Sequence, residues 1–218
     1  MASNHPKLRD RVQRAPHRGV YERDKIYKIM DEALYCHVGF VQDGQPYVIP
    51  SIHARDGDDL LLHGATTSRL IRHIQEGHDV CVTITILDGL VLARSIYSHS
   101  MNYRSAVLFG KGRSIDDPEE AYHALKVLSD HVMPGRWNDS REPNPNEMKA
   151  TAVVSISIDS ASAKVRTGPP NDEDEDYELP IWAGVLPIQQ QYLDPQPDPQ
   201  LGPEIPLPDY IEEYHRKR

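Results

Sequence analysis

The chain has 218 residues, a formal net charge of -9 and two cysteines, enough for one sizeable domain with extensions and too few thiols for a disulfide framework or a zinc set. No apolar run reaches the roughly 18 to 20 residues of a membrane-spanning helix, and Met1 to Arg14 is polar and basic without the apolar stretch of a secretory signal, so a soluble, cytoplasmic protein is expected. Residues 169–218 hold 12 acidic and 3 basic side chains, leaving 21 of each sign before them. A neutral body offers no electrostatic footprint for nucleic acid, and a small molecule or another protein is the expected partner.

Residues 1–20 read as an arm, basic and polar with Pro6 and Pro16. Tyr21 to Ala33 places Ile26, Ile29, Met30 and Ala33 at helical spacing behind Asp24 as a candidate N-cap. Strand patterns follow at Tyr35 to Val41, Pro46 to Ala54 and Asp59 to His63, separated by Asp43-Gly44 and Asp56-Gly57, which predicts a three-stranded antiparallel meander. Ser68 to Gly77 switches to a helical period, with Leu70, Ile71 and Ile74 on one face and Gly77 where a C-terminal cap falls.

Two more strands are predicted at Asp79 to Leu87 and Val91 to Tyr97 across Asp88-Gly89, and a third at Ser105 to Arg113. Asp117 to Val132 puts Ala121, Leu125, Leu128 and Val132 on one helical face, and Thr151 to Ser160 alternates as a strand with one buried face. Cys36 and Cys81 sit in strand-like apolar runs, as small buried hydrophobes do. After Thr167 the composition shifts: residues 169–218 contain 10 of the 18 prolines and an acidic run, Asp172 to Asp176, and within them the apolar Leu179 to Ile188 is expected to dock on the body. The pattern predicts three regions, an arm (1–20), a small antiparallel barrel with helices packed outside (21–168) and an acidic, proline-rich extension (169–218).

The segment His63 to Leu70 joins the end of a strand to the start of a helix. Thr66, Thr67 and Ser68 are hydroxyl donors where backbone N–H groups are unpaired and the helix dipole favours an anion, and Arg69 adds a charge able to fork onto phosphate. The same residues also suit plain N-capping. Gly64 and Ala65 allow a flat ring against the backbone or merely form a turn, and His63 either serves a ligand or is a structural histidine. Arg104 and Ser105 open a later strand, as phosphate and ring partners or as solvated strand-end groups. Trp182 offers an indole face that covers either a bound ring or an apolar groove. His73 and His78, five apart across a glycine, do not match helical metal spacing.

The order YVIPSI (Tyr47 to Ile52), LLHGATTSRL (Leu61 to Leu70) and YRSAVLFGKGRSI (Tyr103 to Ile115) resembles the pyridoxamine 5′-phosphate oxidase-like proteins, in particular the flavin-nucleotide-binding branch with the 5-nitroimidazole-resistance proteins. The resemblance spans roughly residues 18–168 and implies a mainly β, Greek-key split β-barrel that forms a homodimer with FMN in clefts at its interface. By position it runs Ile49, Pro50 and Ser51 along the flavin, borders it with His63 and Gly64, holds its phosphate with Ser68 and Arg69 beside Thr67, and sets Ser105 near the ring. It also puts His63 on the substrate side, as the candidate catalytic residue.

Leu70 stands where the biosynthetic oxidase has a lysine, and its C-terminal arginine and histidine motif is not evident, which argues against vitamin B6 oxidation. The expectation is an FMN-dependent oxidoreductase with a small-molecule substrate and NAD(P)H as a candidate donor. The alternatives are a flavin carrier or sensor without turnover, or a split barrel that binds haem or a deazaflavin.

Overall fold

A strand that alternates buried and exposed residues needs a second layer, and here the sheet supplies it by curling on itself. The computed structural model describes residues 8–158 and 160–214; parts of the expected arm (1–7), Asp159 in the expected strand Thr151 to Ser160, and residues 215–218 lie outside the described residues. The strands are β1 (Gly19–Val20), β2 (Tyr35–Gln42), β3 (Gln45–Ile52), β4 (Ala54–Asp56), β5 (Asp59–Ala65), β6 (Asp79–Leu92), β7 (Ser100–Ser114), β8 (Thr151–Ser157), β9 (Ser160–Arg166) and β10 (Gly184–Pro187). The helices are α1 (Arg23–Glu32), α2 (Arg69–Gln75), α3 (Pro118–Val132), α4 (Pro145–Ala150) and α5 (Asp209–Glu212). The main path is β3-β2-β6-β7-β8-β5-β4, with β9 pairing β7 and β1, and β10 pairing β6. This mainly antiparallel split barrel is the expected fold class.

Odd and even positions divide cleanly between core and surface. Cys36, Val38 and Phe40 of β2, Val82 and Ile84 of β6, and Leu108 of β7 point inward. Tyr35, His37, Val48, Pro50 and Ile52 are exposed on the opposite face of β2 and β3, where Tyr35 pairs with Ile52 and His37 with Pro50. Ile26, Ile29 and Met30 of α1 and Leu70, Ile71 and Ile74 of α2 join the barrel core. Each such side chain, when fully buried, stabilises the fold by roughly 1.5–3 kcal/mol. A second cluster forms outside, where Ala124 and Leu128 of α3 meet Ala54, Leu61, Ile115 and Val153.

Four sequence expectations change. The first is the meander, which is instead two separate hairpins. Asp43 and Gly44 have φ of 52° and 76°, the pair of positive values that a two-residue type I′ turn needs, and they join β2 to β3. The chain then leaves the sheet at the fully buried His53, whose Nε2–H donates to Met30 O at 3.0 Å, and β4 begins at the other end of the path.

The second is Asp88-Gly89, which is not a turn: β6 runs through it with a bulge between Leu87 and Gly89. The glycine is needed because β10 presses on it; a Cβ there would lie 3.0 Å from Leu186 O. Third, the strand expected at Thr151 to Ser160 is β8, which ends at Ser157, and a further strand, β9, begins at Ser160; both pair with β7. Where β7 passes from one to the other, a Cβ on Gly112 would stand 2.1 Å from Cγ2 of Ile74, so the run Phe109-Gly110-Lys111-Gly112 is a close approach of strand and helix. Fourth, Glu22, not Asp24, is the N-cap of α1.

Part of the extension packs on the sheet. Its β10 adds to β6 from Gly89 to Leu92, and Asp172, whose side chain is fully buried, accepts from Arg94 N and Nη1, each at 3.0 Å.

Candidate functional site

β5 delivers its last residues to the mouth of the barrel. Leu60 and Leu62 face the barrel core and Leu61 the α3 cluster, so alternation puts His63 and Ala65 on the Leu61 side and Gly64 on the barrel side. A Cβ on Gly64 would lie 3.1 Å from Cγ1 of Ile71, so the glycine lets α2 start close to the strand. The turn is pinned from both ends: Thr66 N donates to Ala150 O at 3.1 Å, and Arg72 Nε donates to Thr66 O at 3.3 Å.

Ser68 is the N-cap of α2 by backbone angles, yet its hydroxyl makes no capping hydrogen bond. Its side chain therefore remains available beside the N–H groups of the first turn. Arg69 is exposed and makes no ion pair among the described residues; its guanidinium lies 4.3 Å from the centre of the Tyr47 ring. An anion-directed serine, an arginine without an acidic partner and unpaired helix N–H groups together suit a phosphate.

Tyr47 belongs to β3, which ends the strand path and so presents a free edge. β3 and β5 come close without pairing, and this is the split of the barrel. Ile49 leans on the core, Ser51 is half-buried with its hydroxyl donating to Ile52 O at 3.1 Å, and Pro50 is exposed on the outer face. Proline has no N–H to give, so Pro46 and Pro50 fit only where that position faces the free edge. The edge is thus rich in acceptors and poor in donors. His63 makes no side-chain hydrogen bond among the described residues, and loss of hydration lowers its pKa. Its imidazole is neutral near pH 7, with a lone pair to offer.

The structure does not bring the other candidates here in one chain. Arg104 is bracketed by carboxylates: Nε and Nη2 donate to Asp88 at 2.9 and 2.8 Å and Nη2 to Glu32 at 3.0 Å. The hydrogen bonds to Asp88 and then Glu32 raise its pKa above the ordinary arginine value, so its charge is spent inside the protein and the phosphate role expected for it is withdrawn. Ser105 Oγ lies 3.4 Å from Lys164 O on the outer face. Trp182 is 69% exposed and precedes β10, which pairs with the 89–92 half of β6, whereas β2 pairs with residues 81–83.

Sequence reasoning missed an aromatic series behind the turn. Tyr47 stacks with Phe40 (5.4 Å between centroids), Phe40 contacts His73 (4.6 Å) and His73 contacts His78 (4.8 Å). They line a cavity of about 790 Å³. The available signal was the aromatic on the inward register of β3 facing a helix with histidine at its fifth position. Another cavity of about 790 Å³ lies under the extension, between Leu34, Ile86, Met133, Tyr192 and Tyr214; neither is lined by His63 or Ser68.

Residues 22–165 match the family model described as pyridoxamine 5′-phosphate oxidase. The chain belongs to that family. No curated protein matches it. Among solved structures, it is similar to the flavocytochrome Anf3 of Azotobacter vinelandii, with 40% identity over 96% of this chain and 98% of that one and a TM-score of 0.91. The FAD- and haem-binding protein of Mycobacterium smegmatis is 35% identical over 89% and 96%, with a TM-score of 0.86. A 5-nitroimidazole antibiotic resistance protein homologue from Bacteroides thetaiotaomicron is 28% identical and covers 67% of this chain and 86% of its own, with a TM-score of 0.57. The match of this family member to the first of these proteins leaves out only a small part of the chain, so it takes in most of residues 169–218. Among the described residues no helix is long and apolar enough to cross a membrane.

Proposed function

We propose that the protein is a flavin-nucleotide-binding oxidoreductase that acts as a homodimer and carries haem as a second cofactor. The observation that carries the flavin reading is the Ser68–Arg69 turn, with its uncapped hydroxyl and unpaired guanidinium, set beside the open edge of β3. In this reading Ser68, Arg69 and Thr67 hold the phosphate, Gly64 and the backbone of Ile49, Pro50 and Ser51 border the ring, and His63 faces its reactive side. A bound flavin supplies one- and two-electron chemistry; the protein fixes its phosphate, shields one face and keeps the other open. FMN is the nucleotide implied by motif order, and NAD(P)H is the proposed donor.

The dimer is supported by the exposed apolar face of Tyr35, Val48, Pro50 and Ile52, next to a free strand edge. Such a patch, with Trp182 on the neighbouring extension, marks an interaction surface, and Trp182 then covers the cleft of the other subunit. Haem is favoured by two similar proteins, one named a flavocytochrome and one named as FAD- and haem-binding.

Purification followed by absorption spectroscopy and mass measurement in solution tests these points together. A flavin spectrum, a haem Soret band and a mass of twice the chain are expected. Protein that stays colourless and takes up neither added flavin nucleotide nor haem refutes the proposal. Anaerobic reduction by NADH or NADPH, with reoxidation no faster than that of free flavin, would remove the catalytic part of it.

A further inference from the structure

We propose that the end of β9 carries a separate anion site, in which Arg18 and Lys164 hold the phosphate of a small phosphate monoester in front of the buried Arg166. The sheet runs β3-β2-β6-β7 and continues from β7 into β9, so three strands stand between this end and the free edge of β3. The site is therefore not part of the flavin cleft described above.

Arg166 closes β9 opposite Tyr103 and is 7% exposed. Among the described residues its guanidinium meets neutral acceptors. Nη1 donates to Asn102 Oδ1 and, at 3.3 Å, to Gly168 O, and Nη2 donates to Pro169 O at 3.1 Å. Asn102 is fixed in turn, its Nδ2 donating to Gly168 O at 3.1 Å. Gly168 has φ of 96°, a left-handed conformation that glycine adopts without strain and that folds the chain back over the arginine. Nε is buried and has no hydrogen-bond partner.

These contacts account for where the arginine sits and not for its charge. A cation taken out of water is costly unless a counter-charge accompanies it, and carbonyls and an amide bring none. Burial lowers the pKa of Arg166, and the charge of Arg18 lowers it further. Lys164 adds a third cation, two residues before Arg166 and so on the same outer face of β9. β1 sets Gly19 opposite Lys164, which brings Arg18 to this end of the strand. Arg18 and Lys164 are half-buried, and neither side chain makes an ion pair or hydrogen bond among the described residues.

Three neighbouring cations without an acidic partner suit an anion of more than one charge. A phosphate monoester carries about -1.5 to -2 at pH 7 and offers three strong acceptor oxygens, whereas a carboxylate brings a single charge. Arg18 and Lys164, the more open of the three, make the contacts. Arg166 supplies positive potential from behind and is itself neutralised when the anion binds.

The melting temperature of full-length Arg69→Ala protein, followed as glycerol 3-phosphate is added at constant ionic strength, tests the proposal; that background removes the arginine assigned to the flavin phosphate. A rise of about 3 °C or more at saturation is expected, and none with acetate. Arg18→Gln and Lys164→Gln, which have no partner to lose, should each weaken the affinity for glycerol 3-phosphate roughly tenfold. With Arg69 restored, both variants should keep the flavin-nucleotide affinity of the unaltered protein. No rise in the parent, an equal rise with acetate, or unchanged affinity in both variants would overturn the site. Failure of flavin to bind while the phosphate response persists would refute the flavin reading and leave this site standing.

Discussion

Replacing Arg69 with alanine isolates the phosphate contact from everything else the site does. The side chain is exposed and makes no ion pair among the described residues, so its loss costs the fold little beyond the stacking on Tyr47 at 4.3 Å, about 0.5–1 kcal/mol for an exposed cation–π contact. A charge-assisted hydrogen bond is worth about 1.5–3 kcal/mol. At about 1.4 kcal/mol per decade, the flavin nucleotide should bind roughly 10- to 150-fold more weakly. Riboflavin, which has no phosphate, should bind as before. Arg69→Lys should recover part of the loss, since it keeps the charge but not the fork. Fluorescence titrations of the three proteins, with melting temperatures alongside, check this. Equal losses for nucleotide and riboflavin would show that Arg69 shapes the site and does not hold a phosphate.

Arg104→Ala leaves Glu32 and Asp88 facing each other across a partly exposed gap, and should cost about 1–2 kcal/mol of stability with flavin affinity unchanged; a selective fall in flavin affinity would put Arg104 back in the site. Gly112→Ala forces a methyl to within 2.1 Å of Ile74 and should destabilise by about 1–3 kcal/mol in denaturant unfolding, whereas a neutral result would mean that β7 and α2 do not meet there. Cys36 is fully buried and burial pushes its thiol up to about 12, so it should resist alkylation at pH 8 until the protein unfolds; fast labelling would show that the core opens.

At Asp172 burial opposes ionisation, but hydrogen bonds from Arg94 and Ser95 outweigh it and lower the pKa. Because the folded value lies below the unfolded one, the stabilisation is complete above the ordinary carboxylate range, about 3.9, and is lost as pH falls through the folded value. Proteolysis of the extension should therefore rise below about pH 4, and Asp172→Ala should show the same cleavage at pH 7. An extension that stays protected in that variant would refute the anchor.

Period and turn chemistry made much of the fold legible. Both Asp-Gly hairpins of the first half, α2 with its closing Gly77, and α3 behind Asp117 follow from local rules, because each satisfies its own backbone groups. The failures are tertiary. Asp88-Gly89 carries the composition of a turn, but its glycine answers a second strand at its back and its aspartate answers Arg104. The break at His53 is invisible because it depends on a helix carbonyl 23 residues earlier. In the site, the hydroxyls and charge of Ser68 and Arg69 stand out by residue type alone. The Tyr47, Phe40, His73 and His78 series does not, since a strand aromatic and a helix histidine read as core until their contact is known. Likewise nothing local distinguishes Arg104 from a free cation.

The two prolines on the outer edge of β3 have a further consequence. An open strand edge is a template on which any extended chain can add itself, and a barrel with a permanent split risks growing end to end into aggregates. Pro46 and Pro50 interrupt the donor row twice within five residues, so an incoming strand finds too few partners to register. The gap can stay open to a flat ligand without recruiting a further strand.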